Sequence, residues 1–278
     1  MSDAQGRIGF GGSIPERFAG RVALNTPGRG NPKLRAVIER INADDDLYGL
    51  WLAANVNAVE RLGMTDHGPV HVKIVMNIAD KLLRMLVEHG VEPSLVKNYQ
   101  MTVEDAEVVV VMAALLHDVG MSVHRADHEA FSLFIAQPKI RELLDGLYDT
   151  ATASILRSEI LHAIIAHRSG GKPLTLEAGI VRVADALDMA KGRSRIPFAT
   201  GSSSIHSVSA AAIEAVHIEA GETKPVRIRI DLSNSAGIFQ LDQLFREKLT
   251  GSGLEAYVEL DANPVGDAEQ RLVESFRL

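Results

Sequence analysis

No cysteine occurs anywhere in the 278 residues. A disulfide framework and a thiolate metal site are both excluded, so any metal has to be held by imidazole and carboxylate. A surplus of positive charge is missing too. Twenty-nine Lys and Arg stand against 36 Asp and Glu, a net charge of −7, which disfavours nonspecific binding to nucleic acid or to an anionic membrane. No apolar run reaches the roughly 20 residues that a bilayer span requires. Residues 1–20 lack the apolar stretch of a signal peptide. The expectation is a cytoplasmic protein with no membrane partner and no strong nucleic-acid signal. What is present is a hydrophobic share of 46%, enough for a sizeable core in one large domain or two unequal ones.

Glycine, with Pro15 and Pro27, punctuates the first 30 residues, which read as an irregular N-terminal arm. Asn31-Pro32 then has the form of a helix cap followed by proline at the first helical position. Leu34, Val37, Ile38 and Ile41 mark the buried face of that helix. Asp44-Asp45-Asp46 is read as the cap of a second helix carrying Leu47, Leu50, Trp51, Ala54, Ala58 and Leu62 on one face. A third helix opens at Thr65-Asp66-His67-Gly68-Pro69, with His67, His71, Ile74, Ile78 and Leu82 aligned. Thr102 and Asp105 form a capping box ahead of a very apolar helix. Further helices are expected over 125–136, stopping before Pro138, over 139–147, over 151–167, and after a Thr175 cap. Past Arg195 the character changes. A linker-like run at 200–204 precedes two alternating segments, 212–220 and 225–232, that read as a hairpin. A helix over 239–249, a strand over 254–260 and a short helix over 267–278 complete the reading. No internal repeat is found. The division is an arm (1–30), a helical domain (31–200) and a small α+β domain (205–278).

The most informative feature is His117-Asp118, which ends the apolar run Val108 to Leu116. Two metal-capable groups at the rim of a core are costly unless compensated, and a divalent cation compensates them well. Other apolar helical patterns carry His71, His167 and Asp185. Each alone has a bland explanation as a hydrogen-bonded core residue; the conjunction does not, because no Lys or Arg falls on the core faces of those segments. Imidazole with carboxylate suits divalent ions such as Mn, Fe, Co, Mg or Zn.

With His71 in His67-Gly-Pro-Val-His71, the doublet His117-Asp118, and Asp185 in Val183-Ala184-Asp185, the chain resembles the HD superfamily of metal-dependent phosphohydrolases over roughly 60–195. The resemblance implies a mainly α protein, an HD-type helical bundle with a small C-terminal α+β module. It implies that His71, His117, Asp118 and Asp185 hold one metal, with Asp118 able to bridge to a second. His128 and His167 are the further ligands chosen for a dinuclear site, leaving one or two metals per site open. His124 and His162 are the competitors. Five residues turn a helix by about 140°, so His162 and His167 do not face one ion together. His67, Arg193 and Arg195 join Asp118 as catalytic candidates, Lys191 and Arg168 are weaker ones, and Asp188 is placed to hydrogen-bond a ligand imidazole or an arginine. The implied partner is a small phosphorylated substrate, a nucleotide in much of the superfamily, cleaved as a phosphomonoester or phosphodiester by activated water. The same ligand set also resembles HD proteins that use a mixed-valent di-iron pair for oxidative cleavage, and a non-catalytic nucleotide sensor is the third class. Exposed strand edges in the C-terminal module lead to the expectation that it docks on the helical body or builds a homo-oligomer.

Overall fold

The computed structural model describes residues 20–25, 30–190, 209, 211–264 and 276–277. Helix α1 (Pro32–Ala43) starts as its sequence dictates, with the Asn31 side chain accepting from the Lys33 and Leu34 amides. Asp44 caps α2 (Asp45–Asn55) by accepting from Leu47 N–H, and Lys139 binds the same carboxylate at 2.8 Å. Asp46 meets the same lysine at 3.1 Å and Asp45 pairs with Arg21, so the three aspartates serve a cap and ion pairs. Beyond Asn55 the helix widens into a π segment, Val56–Arg61, which turns Leu62 out of the expected apolar face to 51% exposure.

Helix α3 (Pro69–Glu88) and the short α4 (Ser94–Tyr99) both pack on α5 (Val103–Leu116). The buried stripe of α3 is Val72, Val75, Met76, Ala79, Leu82, Leu83 and Leu86, so the expected face through Ile74 is rotated and Ile74 is exposed. The capping box at Thr102 and Asp105 is present. Every residue from Val108 to Leu116 is buried, which makes α5 the axis around which α3, α7 and α8 pack. Trp51 donates its indole N–H to the Leu115 carbonyl, one of the last-turn acceptors that α5 itself leaves free.

After a short 3₁₀ turn (Val119–Ser122), α6 (His128–Leu144) passes straight through Pro138. The expected break does not occur because the carbonyl that proline leaves unpaired belongs to Phe134, a residue 78% exposed. Helices α7 (Thr150–Ala166) and α8 (Leu176–Leu187) complete the body, α8 capped by Thr175 as expected.

The C-terminal module is a sheet in the order β1-β2-β3-β4. Strands β1 (Ile213–Ala220) and β2 (Val226–Leu232) form the anticipated antiparallel hairpin, with Ile218 opposite Ile228. The helical stretch 237–249, here α9, has a π segment at Leu241–Phe245 and crosses over to β3 (Val258–Pro264), which lies parallel to β2. The third strand starts later than expected because 255–257 form a turn. Of the helix expected over 267–278, the described part is β4 (Phe276–Arg277), a strand antiparallel to β3. One continuous apolar cluster joins the module to the body, as the docking expectation requires. Among the described residues no helix is long and apolar enough to cross a membrane.

Candidate metal centre

Five helix ends, those of α3, α5, α6, α7 and α8, converge on one point. At the N-terminus of α3, Asp66 accepts from the Gly68 and His71 amides and starts the helix with His71 facing inward. At the C-terminus of α5, His117 occupies the cap and its Nδ1 donates to the Ala114 carbonyl at 2.7 Å. The end of α7 repeats that device: His167 caps it and Nδ1 donates to Ile164 O at 2.5 Å. In both cases a last-turn carbonyl selects the tautomer, leaving Nε2 with its lone pair outward.

The doublet is fastened to α6 through a buried serine. Ser132 Oγ accepts from Gly120 N–H at 2.8 Å and donates to His117 O at 2.7 Å. Gly120 permits this close approach, since a Cβ there would lie 2.0 Å from His128 O. His128 consequently sits beside Asp118, its Nε2 3.1 Å from Asp118 Oδ1. Its Nδ1 lies against the Arg125 carbonyl at 3.0 Å and Glu129 at 3.1 Å, with the Arg125 guanidinium 2.8 Å away.

The remaining distances divide the cluster between the two oxygens of Asp118. Oδ2 lies 3.4 Å from His71 Nε2 and 3.4 Å from His117 Nε2. Those two nitrogens are 3.6 and 3.7 Å from Asp185 Oδ1. Oδ1 faces His128 and, at 3.7 Å, His167 Nε2. His71, His117 and Asp118 thus form one potential ligand group, Asp118, His128 and His167 a second, and His117, His167 and Asp185 a third that joins the two halves. All except Asp185 are buried. His71 Nδ1 is held by Asp188 Oδ2 at 2.6 Å, the contact anticipated for that aspartate.

A divalent cation suits this donor set. His71 Nε2 and His117 Nε2 are 3.3 Å apart. Each ring has already committed its Nδ1 proton, so without a cation or a further proton two lone pairs would confront each other and two carboxylates. Such an arrangement demands positive charge. Burial alone would raise the carboxyl of Asp118, yet His117, His128 and His167 hold it well below the usual range. Asp185 is likewise lowered against burial by Lys248 and His117. Burial would strip a proton from His117, but Asp118 and Asp185 push its affinity up to about 10. That proton marks the place where a cation is wanted.

The structure brings together His71, His117, Asp118, His128, His167 and Asp185, with His67 at the rim, its Nε2 4.0 Å from Asp118 Oδ2. His162 instead accepts from Leu174 N–H, and exposed His124 from Ala126 N–H, both outside these ligand groups. Arg193, Arg195 and Lys191 lie outside the described residues, and Arg168 is exposed. The expectation that no arginine lies on these core faces is overturned by Arg182 on α8, only 2% exposed, which donates to the carbonyls of Arg168, Gly171, Glu247 and Lys248. Its charge is spread over four backbone acceptors rather than spent on the cluster. Sequence reasoning also missed Ser132 and Lys248. Nothing in the run Arg246-Glu247-Lys248 distinguishes it from a solvated helix face, and Lys248 comes from the other module to lie 3.3 Å from Asp185 Oδ2. A cavity of about 330 Å³ opens over the cluster, bounded by His67, Arg125, Glu129, Ser169, Gln240 and Lys248. That volume is in the range of small-molecule sites.

Comparison with known proteins agrees with this geometry. The family model described as HD domain matches residues 70–190, a span that contains all six clustered candidate ligands. A protein of Methanocaldococcus jannaschii, itself described as uncharacterized, is 46% identical over 209 residues, covering 75% of this chain and 81% of that protein.

Proposed function

The chain belongs to the HD domain family, within the superfamily of metal-dependent phosphohydrolases, and from that premise we propose that it hydrolyses a phosphomonoester or phosphodiester, with a nucleotide as substrate class. The observation that carries this reading is the placement of Asp118, whose two oxygens face two separate histidine pairs. It favours a dinuclear site in which His71, His117, Asp118 and Asp185 would hold one cation and Asp118, His128 and His167 would hold a second.

When bound, divalent cations supply Lewis acidity at the phosphoryl oxygens and a water ionised near neutral pH. The protein's own residues do the rest. Asp118, buried and held anionic, orients the attacking water by accepting its hydrogen bond, and the proton that the water gives up leaves through the cavity. Asp188 fixes the tautomer of His71 and Ala114 O that of His117. The P–O bond to the leaving group breaks as the water oxygen bonds to phosphorus, and the departing oxygen needs a proton. His67, at the cavity wall with its Nδ1–H donated to Thr65 O, would supply that proton from Nε2 as the imidazolium. Arg193 and Arg195 are proposed to take phosphoryl oxygens.

The test is a screen of nucleotides and simple phosphate esters with protein loaded with Mn²⁺, Co²⁺ or Fe²⁺. The expected result is phosphate or nucleotide release without oxygen uptake, with oxygen from labelled water in the new phosphoryl group and no turnover in Asp118→Ala. Oxygen consumption with no hydrolysis would point to the oxidative HD chemistry. A metal-loaded protein inert across the panel would point to the sensor.

A further inference from the structure

Helix α8 presents a stripe to the C-terminal module at three-residue intervals: Gly179, Arg182 and Asp185. Gly179 allows backbone to meet backbone, because a Cβ there would stand 2.1 Å from Ser252 O. One turn on, Arg182 donates to the Glu247 and Lys248 carbonyls at 3.0 and 2.9 Å. These are among the last acceptors of α9, which the helix cannot satisfy itself. One turn further, Asp185 meets the side chain of Lys248. The inner face of α9 is Gly237, Leu241, Phe245 and Leu249, all buried and four residues apart. An ordinary α-helix would drift about 40° at each such step, and the π segment at Leu241–Phe245 takes up the difference. The wide turn and the Arg182 clamp together fix where residue 248 emerges.

We propose that Lys248 is the phosphate-binding cation of the active site, so that docking of the C-terminal module completes it; the inference rests on the hydrolase reading above. An ammonium has three donors. One goes to the His167 carbonyl and one to Asp185 Oδ2, both adjoining the ligand cluster, and the third has the cavity before it. The Lys248 side chain is 20% exposed, so its charge is less screened than that of Arg125, the other cation on the described wall, which is exposed and bonded to His128. The ligand class is the phosphoryl group of substrate or product, taken through a non-bridging oxygen while Asp185 Oδ1 stays turned toward His71 and His117.

The experiment compares wild type, Lys248→Met and Lys248→Arg as metal-loaded full chains. The readouts are metal per chain, melting temperature, affinity for inorganic phosphate by calorimetry, and KM and kcat on the best ester of the screen. Lys248→Met should keep its metal and lose phosphate affinity at least tenfold, with KM raised in step. Lys248→Arg should recover part of both. Phosphate affinity unchanged in Lys248→Met, with only the melting temperature lowered, would reduce Lys248 to a latch between modules and overturn the proposal. So would loss of metal from that variant, or phosphate binding no better in Lys248→Arg than in Lys248→Met. Phosphate binding that depends on Lys248 in a protein with no hydrolytic activity would sink the hydrolase reading instead and leave this one standing.

Discussion

Removing one oxygen, that of Ser132, should loosen the joint between α6 and the His117-Asp118 doublet. Ser132 is fully buried, and its hydroxyl is the partner of both Gly120 N–H and His117 O. Ser132→Ala leaves two buried backbone groups unpaired in a space closed to water. Each such group costs about 1–3 kcal/mol, so the two together should cost about 2–6 kcal/mol. In a chain of this size that is a melting temperature lower by roughly 4–24 °C. Urea denaturation of chelator-treated protein is the assay, read from the midpoint at constant m. Ser154→Ala is the control. Its hydroxyl also donates to a helix carbonyl, that of Thr150, but on an exposed surface, and its effect should stay within about 0.5 kcal/mol. If Ser132→Ala were as harmless as the control, the joint would not be what places His128 beside Asp118.

Other consequences concern the partners of the ligands and the buried charges. Asp188→Ala removes the acceptor that orients His71 without removing any of the six clustered ligands, so metal affinity by titration should fall about 10–100-fold; unchanged affinity would contradict the orienting role. His162→Ala should leave metal content untouched, because His162 serves the Leu174 amide; loss of an ion would show that the wrong histidine of the pair had been chosen. Asp80 has its pKa raised to about 6 by burial, with Arg84 opposing and Glu107 adding to the rise. The folded state therefore holds this proton more tightly than the unfolded chain, whose Asp titrates near 3.9. Stability should be fully present below about pH 4 and decline through pH 6. Asp80→Asn should flatten that decline in urea midpoints and equal or exceed wild type at pH 8 by on the order of 1–3 kcal/mol; a slope unchanged by the substitution would reject the assignment.

The helical body was legible because its signals are local. Asn31-Pro32, Asp44, Thr102 with Asp105, and Thr175 each cap the helix they precede, since a cap depends on residues within one turn. The ligand set was legible for another reason: a histidine or aspartate amid apolar neighbours is costly without a partner. The features that escaped depend on what lies across a packing interface. Pro138 does not break α6 because its orphaned carbonyl faces water, and a sequence does not say which side of a helix is wet. Arg182 reads as a misfit in an apolar helix until the carbonyls of 168, 171, 247 and 248 are seen around it. Ser132 and Lys248 belong to contacts 15 and 63 residues long in sequence, with no local periodicity to betray them.

Counting metal ions tests the central claim most directly, by elemental analysis and anomalous diffraction on chain saturated with Mn²⁺ or Co²⁺. Two ions per chain are expected, about 3.5–4 Å apart on either side of Asp118, falling to one in His128→Ala and to none in Asp118→Ala. A saturated wild-type chain with a single ion, or two ions that persist when Asp118 is replaced, would contradict the shared-carboxylate centre.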